Sequence, residues 1–200
     1  MEMITETTQS SHALFAMRDG SYRAQDSQSI IMKRRLGLTT DMKASSVVAS
    51  LVVDPAGRVR DGVDSRPLSS PEDRTRFLSL RQHARCIIIG SKTWAAESYQ
   101  KTKVPLLVYS KGDREIVDWP EEIAQLSAKY GSPILVEAGP TLLEEMMRAG
   151  VIDLLHLTRT TRVSEDPTSP VFDFQTLDGF MELIETIEGH EDRFELYRKA

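Results

Sequence analysis

Apolar positions come in short blocks separated by turn residues, and strand-like blocks alternate with helix-like ones. Val47-Val48-Ala49-Ser50-Leu51-Val52-Val53 is a β-branched run closed by Asp54-Pro55-Ala56-Gly57, which predicts a buried strand and then a turn. Ser70-Pro71-Glu72-Asp73 has the make-up of a helix start. Ser70 can accept from the orphan amides, Pro71 suits the first helical position, and the two acids favour the positive end of the dipole. Phe77, Leu80 and Ala84 recur at helical spacing, so an amphipathic helix of about three to four turns is expected. It feeds Cys86-Ile87-Ile88-Ile89, a strand too apolar to have a wet face, which stops at Gly90-Ser91-Lys92-Thr93.

The alternation repeats. Residues 104–109 read as a strand, 121–129 as a helix, and 134–136 as a further apolar strand that stops at Glu137-Ala138-Gly139-Pro140. A helix over 141–149 follows, with Gly150 placed to cap it, and strand character resumes over 152–161. Two last strand-like runs, 181–187 and 193–198, flank Glu188-Gly189-His190-Glu191-Asp192 and predict a terminal antiparallel pair. The fold class is therefore α/β, a mixed and mainly parallel sheet with helices on both faces and a C-terminal antiparallel hairpin. Residues 1–44 are polar and without clear periodicity until Ile30-Ile31-Met32 and Lys33-Arg34-Arg35. They read as an N-terminal extension packed on a single domain over 45–200, the basic trio being a solvated turn or helix end.

Charge narrows the partners. Against 30 Asp and Glu stand 25 Lys and Arg, a net charge of −5 with no long run of one sign, which argues against a general nucleic-acid partner. The single cysteine, Cys86, lies inside an apolar run, so neither a disulfide framework nor a Cys-based zinc site is available and a buried thiol is expected. No His-x-Glu with paired cysteines occurs, and no metal is expected. No apolar stretch is long enough for a bilayer, and the first thirty residues lack a signal-like apolar core. A cytoplasmic protein without membrane contact is the expectation.

A strand that ends in Gly and runs into a helix start offers free amides at a positive dipole end, a site for phosphate. This happens twice. Gly90 admits close approach while Ser91, Lys92 and Thr93 add hydroxyl and ammonium donors; Gly139 admits the backbone, Pro140 pre-sets the first turn and Thr141 adds a hydroxyl. Neither is a GxGxxG or P-loop pattern, and each alone also reads as a tight connection. Parallel strands would bring both to one edge of the sheet, which points to a dinucleotide.

Ala49-Ser50-Leu51-Val52-Val53-Asp54, Pro71-Glu72-Asp73 with Phe77, Ile89-Gly90-Ser91-Lys92-Thr93-Trp94 and Leu157-Thr158 resemble, in order and spacing, the landmarks of dihydrofolate reductases. Val136-Glu137-Ala138-Gly139-Pro140-Thr141-Leu142 and Ala149-Gly150-Val151-Ile152-Asp153, with Ser69-Ser70-Pro71 and Leu80-Arg81, are similar to a sister family, the pyrimidine reductases of riboflavin biosynthesis. The resemblance covers residues 46–173 and implies a dihydrofolate reductase-like three-layer fold, NADPH as cofactor and a homodimer.

It also implies roles. Ser50 would neighbour the nicotinamide. Gly90, Ser91, Lys92 and Thr93 would hold phosphates, with Ser110 and Lys111 near the adenosine phosphate. Glu137, Gly139, Pro140 and Thr141 would close over the pyrophosphate. Residues 55–69 correspond to a mobile lid, and Ser65, Ser69, Asp73, Arg81 and Thr158 fall on the substrate side. Asp73 matches the acidic group that binds and protonates a pterin ring, and a carboxylate in a nearly dry cleft can hold a proton; it equally suits the positive end of its helix. Arg81 corresponds to a residue reaching a substrate's ribose phosphate, the alternative being an exposed helical Arg.

The chain departs from both patterns. Ser91 stands where dihydrofolate reductases place an Arg that grips the NADP phosphate, leaving Lys92 or Lys111 for that task. The riboflavin reductases' Ser-x-Asp-Gly is interrupted here, and residues 95–103 offer only Lys101 and Lys103 for their phosphate-gripping Arg. The reading is an NADPH-dependent reductase of a riboflavin-pathway pyrimidine, with a dihydrofolate or pterin reductase, or a non-catalytic ligand-binding relative, as alternatives.

Overall fold

The computed structural model describes residues 47–96, 102–110 and 117–200. The N-terminal extension, Lys101 and Lys111 lie outside the described residues. Along the chain come β1 (Val47–Val53), α1 (Pro71–His83), β2 (Cys86–Gly90), α2 (Ser91–Ala96), β3 (Leu106–Tyr109) and α3 (Trp119–Tyr130). Then follow β4 (Ile134–Val136), α4 (Pro140–Arg148), β5 (Leu154–Thr160), α5 (Phe174–Phe180), β6 (Met181–Glu188) and β7 (Asp192–Lys199). The seven strands form one sheet in the order β3-β2-β4-β1-β5-β7-β6. The first five in that order are parallel, and β7 runs antiparallel to both β5 and β6.

Two layers of helix cover the sheet. Leu80 and Ala84 of α1 pack on one face with Val48, Ile87, Ile89, Leu154, Phe194 and Leu196. On the other face Ile123, Leu126, Leu143, Met146 and Leu177, from α3, α4 and α5, pack over Ala49, Ile88, Val136 and Leu155. Ile87, Ile88 and Ile89 are at most 1% exposed, as an apolar central strand requires, and each contributes about 1.5–3 kcal/mol of transfer free energy. Cys86 is buried in the same strand, where burial pushes its thiol up to about 11.

Boundaries depart from the sequence reading for local reasons. Strand β3 starts at Leu106 because Pro105 has no N–H for the ladder and offers only its carbonyl, which accepts from Ile87 N at 2.9 Å. Helix α3 starts at Trp119 because Asp118 caps it, accepting from Glu121 N at 3.2 Å, with Pro120 in the first turn. Helix α5, capped by Asp173, was not foreseen. The inner stripe of α1 also differs from expectation: Asp73, Arg76 and Ser79 are buried beside Leu80, while Phe77 is only half-buried.

Candidate active site

Strand β1 pairs with β4 only over Val47, Val48 and Ala49, but with β5 as far as Val53. Beyond Ala49 its β4 side is therefore open. The crossovers leaving these neighbours run in opposite directions: α1 carries β1 to β2, and α4 carries β4 past β1 to β5, on opposite faces. That is a topological switch point, where open α/β sheets hold ligands beyond their strand ends. A cleft of about 1710 Å³ lies there, with Ser50, Leu51 and Val52 in its wall. This exceeds the usual 300–1,000 Å³ of a single small-molecule pocket.

The two glycine turns meet in this cleft. Ser91, Lys92 and Thr93 line it, as do Ser110, Glu137, Gly139, Pro140 and Thr141; Gly90 ends β2 behind them. Gly139 N donates to Thr93 Oγ1 at 3.3 Å, which joins the turns. Helix α4 has no side-chain cap, and its N-cap Gly139 sits at φ −66° and ψ 171°, open to any residue. A Cβ on Gly139 would meet nothing nearer than Thr93 Oγ1 at 3.6 Å, and one on Gly90 nothing nearer than Leu142 Cδ2 at 3.7 Å. Neither glycine is demanded by the protein's own packing.

Asp73 stands at the α1 wall, 7% exposed. Ser69 Oγ donates to its Oδ2 at 2.5 Å, and the Thr158 hydroxyl bonds it as well. Burial raises its proton affinity above the ordinary carboxylate range, with Ser69, Thr158 and Arg76 opposing. Asp73 also occupies the first turn of α1, its N–H bonded to Ser70 Oγ at 3.1 Å. Thr158 lies beneath Asp73, 1% exposed and outside the cleft lining. It accepts from Arg76 Nη1 at 2.8 Å, completing a chain from Arg76 through Thr158 to Asp73. Arg76 was missed in the sequence, where an Arg on a helix reads as solvated.

Arg81 is not an exposed helical Arg. Its Nε and Nη2 donate to Glu137 Oε1 and Oε2 at 2.6 and 2.5 Å, across 56 residues of sequence. The Glu137 carboxylate, 3% exposed, is thus held by α1 rather than turned freely to the cleft. Both residues still line it, as do Ser65 and Ser69. Phe77 meets two cations, the guanidinium carbons of Arg74 and Arg81 being 5.4 and 4.4 Å from its ring centroid.

The segment expected as a lid is tied down along its first half. Asp54 Oδ1 accepts from Ala56 N and Arg58 N at 2.8 and 2.7 Å, and its Oδ2 from Ser164 N at 3.2 Å. Phe172 N donates to Gly57 O at 2.8 Å. Gly57, at φ +83° with Phe172 O 3.2 Å from a would-be Cβ, has to be glycine. Leu68, 1% exposed, anchors the far end. Between these anchors Val63 is 72% exposed.

The model of the RibD C-terminal domain family matches residues 96–160, which include the 137–142 turn but not Asp73, Arg81 or Gly90. No curated protein matches the sequence. Among solved structures, a pyrimidine reductase-like protein from Corynebacterium diphtheriae is similar, with 16% identity and a TM-score of 0.59 over 84% of this chain and 98% of that one. RibD of Acinetobacter baumannii superposes with a TM-score of 0.61 at 15% identity; 88% of this chain spans 64% of that protein. A dihydrofolate reductase from Enterococcus faecalis, complexed with NADP(H) and RAB-propyl, gives 0.54 at 17% identity over 77% and 96%. The fold is dihydrofolate reductase-like. The resemblance to that superfamily, on its riboflavin-type pyrimidine reductase side, stands on the matched segment together with the fold.

Proposed function

We propose that the chain is an NADPH-dependent reductase of a pyrimidine intermediate of riboflavin biosynthesis, of the 5-amino-6-(5-phosphoribosylamino)uracil type. The carrying observation is the meeting of both glycine turns at Thr93, beside the open flank of β1, in one cleft. A dinucleotide fits the residues present: bare backbone at Gly90 and Gly139, the uncapped N-terminus of α4, the hydroxyls of Ser91, Thr93 and Thr141, and the Lys92 ammonium. When bound, the cofactor supplies the hydride. Ser50 and its β1 neighbours form the wall against which the reacting ring would lie, which fixes orientation. Asp73, buried in the first turn of α1 at the cleft wall, holds a proton for the atom reduced. Lys92 serves as the cation for the phosphate that distinguishes NADPH.

Titrating NADPH by fluorescence, then following loss of its absorbance with the pyrimidine and with dihydrofolate, tests this reading. NADPH binding with turnover of the pyrimidine is expected. Binding without turnover of either compound would leave a ligand-binding relative of the fold, and no NADPH binding at all would end both enzyme readings. A folate or pterin reductase is the second reading, favoured by the buried Asp73; preferential turnover of dihydrofolate would establish it.

Gly139→Ala separates ligand from fold. The backbone conformation and the 3.6 Å clearance predict a melting curve as stable as the parent or slightly better, by about 0.4–1 kcal/mol. NADPH affinity should fall about tenfold or more, about 1.4 kcal/mol, as the added methyl occupies the phosphate's place. Equal affinity would remove Gly139 from the cofactor site.

A further inference from the structure

Arg60, Arg66, Arg74 and Arg81 line the cleft. Three are matched by carboxylates: Arg60 with Asp166 at 3.4 Å, Arg66 with Asp64 at 3.1 Å, and Arg81 with Glu137 at 2.5 Å. Arg74 has no carboxylate partner among the described residues; its guanidinium contacts the Phe77 ring. An aromatic face restrains a guanidinium without neutralising it and leaves its planar fork of donors open. Arg74 follows Asp73 on α1 and lies one turn before Phe77, so acid, cation and ring share the helix wall of the cleft. An anion approaching Arg81 would meet the Glu137 carboxylate as well, and the pair presents almost no net charge. At Arg74 it would meet a whole positive charge.

We infer that Arg74, stacked on Phe77, is the receptor for an anionic arm of the substrate, a phosphate monoester or a carboxylate, whose planar ring lies toward Asp73. This rests on the reductase reading for the ring and assigns the anion to a residue other than Arg81. Arg74 is exposed, and Gln has nearly the helix propensity of Arg, so Arg74→Gln folds as the parent does.

The test compares parent, Arg74→Gln, Arg74→Lys and Arg81→Gln. With the phosphorylated pyrimidine, Arg74→Gln should raise KM about tenfold or more with kcat within about twofold, since a remote grip acts on binding. The dephosphorylated pyrimidine should give parent and variant the same KM. Lys should recover part of the loss, restoring charge without the fork. Dihydrofolate distinguishes the other source: a KM rise confined to it assigns the arm as a carboxylate. An unchanged KM for every substrate, or loss of phosphate dependence in Arg81→Gln alone, overturns the assignment. Ribose 5-phosphate against ribose, read as a melting shift of the protein without cofactor, reports on Arg74 even where no substrate is reduced. A phosphate-dependent shift lost in Arg74→Gln is expected, and equal shifts in parent and variant overturn it.

Discussion

Asp73→Asn is expected to lower kcat/KM for the pyrimidine by about 10²- to 10⁴-fold, the usual contribution of a positioned acid, while NADPH affinity stays unchanged. Asp73 is 7% exposed and burial is the largest influence on its carboxyl, raising its proton affinity against the opposing pull of Ser69, Thr158 and Arg76. If the protonated form is active, the parent's kcat/KM falls as pH rises through that raised pKa, and the Asn variant shows a low profile without this limb. Stability moves oppositely. A carboxyl whose folded pKa is raised contributes stability that is complete below its unfolded value and is lost as pH rises through the folded one. Asn does not titrate, so urea melts at neutral pH should show the variant at least as stable as the parent. Turnover unchanged across pH would leave Asp73 only its place in the first turn of α1.

The sheet was legible because each strand carries its own signal. The β-branched run at β1 and the apolar blocks at β2 and β4 are buried whichever neighbours they find, and the capping residues Ser70 and Gly150 act within a few positions of their helix ends. The glycine turns were legible for the same local reason. What stayed hidden depends on contacts distant in sequence. Arg81 reads as a surface residue until Glu137 arrives from the end of β4. Phe77 reads as core, but the stripe that faces the sheet runs through Asp73, Arg76 and Leu80, because the polar Thr158 waits beneath it. Helix α5, with Gly179 near its end, carries too little periodicity over seven residues to stand out. The lid looked free because its ties come from residues 164–172, over a hundred positions on.

Arg76 gives the second large effect, on the fold itself. It is 3% exposed, donates to Thr158 Oγ1 and, at 3.5 Å, to the Glu195 carbonyl, and lies over the Phe194 ring at 5.2 Å. Burial lowers its pKa to about 10, which leaves it fully charged at neutral pH, and Asp73, Asp192 and Glu185 oppose the shift. On the same side His156, wholly buried, is kept neutral by desolvation and by Arg76. Arg76→Met keeps much of the volume and removes the charge, leaving Thr158 Oγ1 and the Glu195 carbonyl without this donor and the buried Asp73 carboxyl without a nearby cation. A cost of about 1–3 kcal/mol is expected in urea unfolding at pH 7, as for leaving buried hydrogen-bond acceptors without their donor. The part of it that comes from Asp73 should shrink as pH falls, because a protonated Asp73 no longer gains from the guanidinium. Adding Asp73→Asn to Arg76→Met should recover part of it, and the shortfall from additivity measures the Arg76–Asp73 coupling. In activity, losing the cation raises the proton affinity of Asp73, so the falling limb of the pH profile should move to higher pH. A deficit below about 1 kcal/mol, the range of an exposed pair, together with an unmoved limb, would mean that Arg76 neither stabilises the fold from its buried place nor sets the proton affinity of Asp73.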